Sequence, residues 1–385
     1  MFWTVVLGIL AGLSLICLIW QWLAAVRFPL HQQVAPNGYA PSISILKPLK
    51  GTDEHTLACL SSWTELVHPG EVEVLFGVDS LDDPACQMVE QLRRACPQRN
   101  ITLAECRDQW GANAKVSKLI QLERMARHGV IVVSDADVHV PPDLLSSLIA
   151  PLADARVGMV NCFYRLANPL NLAMRWEAVG VNADFWSQVL QGRTIAPQDF
   201  GLGAVMAMRR EELRSAGGFE ALVNHVADDF QLGHRIARAG RRIEICPLVV
   251  ECRDPVVGWK GVWLHQVRWQ RTIRVCKPLP YAISIFANPL LWPVLLALVS
   301  SSRPAVALLI IALVVRGAIT ADLLRRFNPA TRDWCWCWLA SFKDAASVAL
   351  WITAFAGNRI HWRGTTYRVL RDGRLTGGAS VKPVH

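Results

Sequence analysis

Val130-Ile131-Val132-Val133-Ser134-Asp135-Ala136-Asp137 sets an apolar, β-branched run directly before two alternating aspartates. A short run of this kind predicts a strand buried on both faces. Residues 42–46 and 72–78 read the same way, each followed by turn residues and then a helical pattern. Strands alternating with helices predict an α/β fold with a largely parallel sheet. In such sheets ligands bind beyond the carboxyl ends of the strands, and Asp79, Asp135 and Asp137 all stand at such ends. Alternate residues of a strand share a face, so the Asp135 and Asp137 carboxylates are expected to reach one ion together, with Ala136 turned away. Pro141-Pro142 marks where that strand stops.

Hydrophobic residues make up 52% of the 385, more than a single soluble core usually carries, which predicts a membrane share. From Phe2 to Val26 there is no charged residue, a longer run than the roughly 20 residues that a spanning helix takes. A signal peptide is the weaker reading, because no basic region precedes the run, the run is too long and Arg27 follows directly. Charge-free sequence returns over 278–302, and after Arg303 and Pro304 a further apolar stretch to about Ala321 completes an expected helical hairpin, with Arg316 snorkelling near its inner end. A fourth apolar region, 334–357, is interrupted by Lys343 and Asp344; a mid-membrane charge pair is costly unless buried or functional. This region is expected to re-enter rather than cross, which keeps the basic residues from Arg359 onward on the cytoplasmic side. The expected order is a spanning helix over 1–27, a cytoplasmic α/β domain over 40–277 with an interfacial helix near 259–277, a membrane region over 278–357, and a basic tail over 358–385 that frays from Gly377.

The net charge of +9 does not point to nucleic acid, because the basic residues are scattered. Arg325-Arg326, Arg359, Arg363, Arg368 and Arg371 flank the apolar segments, where anionic lipid headgroups attract them. The eleven cysteines show no Cys-x-x-Cys pair with partner histidines, so neither zinc nor a disulfide framework is expected.

An isolated Asp-x-Asp can be a simple turn. Placed after a buried strand, Asp135 and Asp137 also supply the hard oxygen ligands that hold a divalent cation on a diphosphate. Asp228 and Asp229 suit the first turn of a helix, where the dipole favours acids, and equally suit a general base near an acceptor hydroxyl. Gly217-Gly218 predicts a turn that delivers this pair. Lys115 reads either as a solvated helix residue or as a phosphate contact. His265, Arg268 and Trp269 lie in a basic amphipathic stretch, which reads as an interfacial helix between a soluble site and the bilayer.

Ile45-Leu46-Lys47-Pro48-Leu49-Lys50-Gly51, Asp82-Asp83-Pro84, Asn113-x-Lys115, Ser134-Asp135, Gly217-Gly218, Asp228-Asp229-Phe230 and Trp362-Arg363-Gly364-x-x-Tyr367-Arg368 follow one another along the chain. With these motifs the chain resembles the ceramide glucosyltransferase family, membrane-bound inverting enzymes that include bacterial hopanoid-associated relatives. The resemblance implies a GT-A (Rossmann-like) glycosyltransferase domain inserted between transmembrane helices, in a multi-pass protein of a bacterial inner membrane. It implies Asp135 as the metal aspartate assisted by Asp137, Mn2+ or Mg2+ as cofactor, and Asp229, beside Asp228, as the base. Lys47, Asp79, Lys115, Asp135, His265, Arg268 and Trp269 are the implied nucleotide-sugar contacts. In an ungapped match Ser80 stands at the family's first aspartate, next to Asp79, and His265 stands where the family has Gln or Arg. The implied reaction moves a hexose from a UDP-sugar, UDP-glucose foremost, to the hydroxyl of a ceramide-like membrane lipid with inversion. UDP-N-acetylglucosamine transfer to a hopanoid polyol stays open beside it. A processive polysaccharide synthase also pairs such a domain with Arg-Trp, but the few spans argue against an enclosed channel. An inactive lipid-binding scaffold is opposed by the intact Asp135, Asp137 and Asp229.

Overall fold

The structure is a computed structural model that describes residues 2–34, 38–362 and 365–380. Strands β1 (Ile43–Pro48), β2 (Val72–Val78), β3 (Asn100–Glu105), β4 (Val130–Ser134), β5 (Val138–His139), β6 (Val157–Leu166), β7 (Val205–Arg209) and β8 (Arg242–Cys252) form one sheet in the order β3-β2-β1-β4-β7-β6-β8-β5. The first four are parallel, with β1 paired between β2 and β4. Every residue of β1 and β4 is buried, as their apolar runs require. Beyond β4 the sheet departs from the parallel expectation: β7 pairs antiparallel with both β4 and β6, while β6 and β8 pair parallel. One face packs Ile43, Trp63, Val132, Leu145 and Val160 into a core. The other packs Leu46, Val116, Val133, Met206 and Leu232.

Asp135, Ala136 and Asp137 are not strand residues, contrary to the alternation expected for them. β4 ends at Ser134, and the three residues turn into β5, which joins the opposite edge of the sheet beside β8. The chain cannot stay extended because its next pairing partner lies at the far side of the same sheet.

Two helices among the described residues are long and apolar enough to cross a membrane, Phe2–Val26 and Arg303–Phe327. Each has 25 residues, or ~38 Å at ~1.5 Å per residue, against a hydrocarbon thickness of ~30 Å. The segment expected to form the first arm of a hairpin is two pieces, Pro278–Ala287 and Leu291–Ser300, bent by 47° and together long and apolar enough for one broken span. The Leu339–Phe355 helix has 17 residues. Trp22 on the first helix donates to Asp322 (2.8 Å), and Gln21 donates to Ser187 (2.6 Å), so that helix is tied both to Arg303–Phe327 and to the α/β domain.

Arg316 does not snorkel. It is buried, and its guanidinium engages both oxygens of Asp184 (2.9 and 2.8 Å) and both of Asp344 (2.7 and 2.9 Å). Lys343 adds a contact to Asp184 at 2.6 Å. The charges that interrupt the fourth apolar region are thus paired internally, which is the condition under which buried charges are tolerated.

Residues expected as a basic tail form a second sheet of β9 (Arg359–Trp362), β10 (Thr365–Val369) and β11 (Leu375–Ser380). Ile360, Val369 and Leu375 bury against Val226 and Ala227; of the end expected to fray from Gly377, residues 381–385 lie outside the described residues. The Arg363-Gly364 part of its motif lies outside the described residues. Of the flanking arginines, Arg326 pairs with Asp322 at 2.7 Å and Arg325 lies over the Trp334 ring. All eleven cysteines are free thiols, as expected.

Candidate active site

Asn113 starts the site. Its side chain accepts from the Val116 amide and caps the Ala114–Met125 helix, while its Nδ2 donates to the His225 carbonyl (2.9 Å) and to Asp228 (3.3 Å). The cap therefore joins the helix that carries Lys115 to the loop that carries Asp228 and Asp229. From the first turn of that helix, Lys115 Nζ reaches Asp135 Oδ1 at 2.6 Å and Asp228 Oδ2 at 3.4 Å. Burial opposes its charge, but the Asp135 and Asp228 carboxylates outweigh burial and hold Lys115 protonated, its pKa above the ordinary lysine value. Lys115 is thus a nearly buried bridge between the Asp135 turn and the Asp228 helix rather than a solvated helix residue.

Asp137 is pushed up to about 7 by burial and by the neighbouring Asp135 and Asp254 charges. Two like charges held this close are relieved by a cation, and a divalent ion that keeps its remaining positions for substrate oxygens needs only one or two carboxylates. Asp135 and Asp137 fit that ion. No group of three or more His, Cys, Asp or Glu that could hold a metal ion by itself is found among the described residues.

Asp228 and Asp229 open the Asp228–Arg238 helix. Asp228 is buried. Asp229 is partly buried; burial and the adjacent Asp228 charge push its pKa up to about 6. A Cβ at Gly203 would sit 2.8 Å from Asp229 Oδ2, so a side chain there would displace this carboxylate. The expected turn at Gly217-Gly218 is present with φ of +93° and +66°.

Lys47 is fully buried. Its Nζ donates to Ser134 Oγ (3.2 Å) and to the Asp135 carbonyl (2.6 Å), and lies 4.4 Å from the centroid of the Trp63 ring. Burial lowers it to about 7 against the pull of Asp137 and Asp135. Lys47 therefore anchors the aspartate turn from below. Asp79 stands beyond β2, its carboxylate 2.5 Å from Lys118 Nζ and still 46% exposed.

His265, Arg268 and Trp269 lie on the Trp259–Cys276 helix, which exposes Trp259, Trp263, Leu264 and Ile273. His265 and Trp269 are ring neighbours at 4.5 Å. The Arg253 amide donates to the Asp137 carbonyl, which brings Asp254 between the aspartate turn and this helix. Two neighbours were not singled out in the sequence: Asp254, close to His265 and Arg268, and Glu177, whose carboxylate accepts from His265 and Gln266. The one signal for Glu177 was a lone acid in an apolar helix.

A parallel half-sheet with an aspartate turn at its carboxyl edge, continued by antiparallel strands, is the GT-A glycosyltransferase architecture. The solved mannosyltransferase PcManGT from Pyrobaculum calidifontis, in complex with GDP-Man and Mn2+, shares this fold with a TM-score of 0.51 at 22% identity, covering 90% of this chain and 98% of that one. The chain belongs to glycosyl transferase family 21, whose model matches residues 4–375. It is similar to ceramide glucosyltransferase 3 of Caenorhabditis elegans, 24% identical over 223 residues, 57% of this chain and 48% of that protein. Ceramide glucosyltransferase 1 of the same organism is 23% identical over 220 residues, 57% and 47% of the two. The chain thus spans about half the length of the curated relatives it matches.

Proposed function

We propose that this protein transfers a hexose from a UDP-sugar to the hydroxyl of a ceramide-like membrane lipid, with inversion and with Mn2+ or Mg2+. The observation that carries this reading is the Asp135–Lys115–Asp228 bridge, which joins the carboxylate-bearing turn after β4 to the Asp228-Asp229 helix. The Trp259–Cys276 helix has an exposed apolar side, suited to a lipid acceptor. The α/β domain, residues 40–277, faces the cytoplasm in this proposal, with the apolar helices in the membrane. Asp135 and Asp137 would hold the ion, which when bound offsets charge on the diphosphate.

Asp229 takes the proton from the acceptor hydroxyl. The acceptor oxygen forms its bond to the anomeric carbon from the face opposite the diphosphate, the bond to the diphosphate oxygen breaks, and UDP leaves with that electron pair. Lys115 keeps Asp135 and Asp228 fixed throughout, and Lys47 holds the backbone of Asp135. UDP-glucose is the first donor in this reading, and the mannosyltransferase likeness bears on the fold alone.

The test is an assay of purified protein in nanodiscs with Mn2+ or Mg2+, offering UDP-sugars against ceramide and polyol hopanoids and weighing the products. A lipid gaining one hexose is the expected result. A sugar polymer, or no UDP binding at all, overturns the proposal.

A further inference from the structure

Resting on the reading of this cleft as a sugar-transfer site, we infer that Glu177 and His265 form a specificity pair in which His265 Nε2 accepts a hydrogen bond from a hydroxyl of the transferred sugar. Glu177 is buried, at 5% exposure, on the Leu172–Val179 helix. One of its oxygens lies 2.7 Å from His265 Nδ1 and also accepts from Gln266 at 2.8 Å. A carboxylate has no proton to give, so Nδ1 must carry the hydrogen, and in the neutral ring Nε2 is left as an acceptor.

The surroundings choose the ligand. Glu177 on one helix and Asp254 after β8 both place acid near the imidazole, and Tyr164 stands on the neighbouring strand, with Arg268 as the nearby cation. Two carboxylates disfavour a phosphate at Nε2, whereas a neutral sugar hydroxyl meets no such repulsion and can donate to the acceptor nitrogen. The His265 ring is 29% exposed and flanked by Trp269 at 4.5 Å, an aromatic wall of the kind that packs on a sugar. Glutamine or arginine at this position can present a donor; this histidine, fixed by Glu177, presents an acceptor. Glu177 acts through His265 and is a positioning residue.

Two measurements test this. In nanodiscs with 15N-labelled histidine, assigned through His265→Asn, the wild type should show His265 protonated at Nδ1 and bare at Nε2 at pH 8, and Glu177→Gln should release that tautomer. A wild-type ring protonated only at Nε2 overturns the inference even if transfer proceeds normally. In turnover, one singly deoxygenated UDP-sugar should be used about tenfold less well than its parent by the wild type. That discrimination should vanish in both His265→Ala and Glu177→Gln, with no further change in the double variant. Discrimination that survives either substitution, or losses that simply add, also overturns it. If the wild type uses no UDP-sugar while the tautomer is as stated, the reading of the cleft has failed, and the sugar contact with it.

Discussion

Lys115 Nζ stands 2.6 Å from Asp135 Oδ1, with Asp228 as its second carboxylate partner. The ammonium is nearly buried, so removing it leaves two acids facing each other without a cation. Lys115→Met should destabilise the protein by about 2 kcal/mol, below the full cost of breaking a buried pair because Asp135 keeps access to water. UDP-sugar binding should fall as well. Thermal unfolding and calorimetric titration in the same detergent check both; unchanged unfolding would refute the bridge.

Asp229 is the proposed base, and asparagine keeps its volume. Asp229→Asn should cut turnover by about 10²–10⁴-fold while UDP-sugar binding is largely kept. Product formation and equilibrium binding separate the two. Wild-type turnover in this variant would remove Asp229 from the mechanism.

Burial first, and then the Asp228 charge, raise the Asp229 pKa to about 6. A base must be ionised, so kcat/KM should climb as pH rises through about 6. Asp228→Asn removes the second cause and should move that limb to lower pH. The sign for stability is opposite: a raised carboxylate pKa means the folded state holds the proton more tightly, and this contribution is lost as pH rises through about 6. An acid limb that does not move in Asp228→Asn would rule out this coupling.

Arg316 neutralises Asp184 and Asp344 where water does not reach. Arg316→Met should destabilise by about 3–5 kcal/mol, since it strands buried charges. Adding Asp184→Asn and Asp344→Asn to Arg316→Met should recover part of the loss. Unfolding in detergent reads both; a triple variant no better than the single one would mean that charge is not the cause.

The loop before Asp228 is held by the C-terminal sheet: the Val226 amide donates to the Gly373 carbonyl at 3.2 Å and the Leu375 amide to Asn224 at 2.6 Å. Leu375→Ala removes a buried side chain from this contact, a change that costs roughly 2–5 kcal/mol. It should lower turnover more than it lowers the global unfolding temperature, because the loosened element carries the proposed base. Equal losses in both would show that the sheet supports the fold generally.

Much of this was readable from neighbouring residues alone. The β-branched run at Val130–Val133, the charge-free stretch of Phe2–Val26, the glycine turn and the amphipathic helix each express a local periodicity or composition, and each formed where expected. The aspartates at strand ends were legible for the same reason, since burial of β4 obliges the chain to emerge at its carboxyl edge. The antiparallel half of the sheet was not, because pairing direction depends on where the returning chain finds an edge.

Sequence by itself determined the alternation of strands and helices, the family motifs and the apolar segments. Tertiary structure decided how the charges are spent. Lys47 and Lys115 look alike in the chain, yet both are buried anchors beneath the aspartate turn. Arg316 meets Asp184 across 132 positions, and His265 meets Glu177 across 88. Such pairs leave no local pattern because a charge is stabilised by whatever lies within a few ångströms of it in space, and only the packed chain sets that distance.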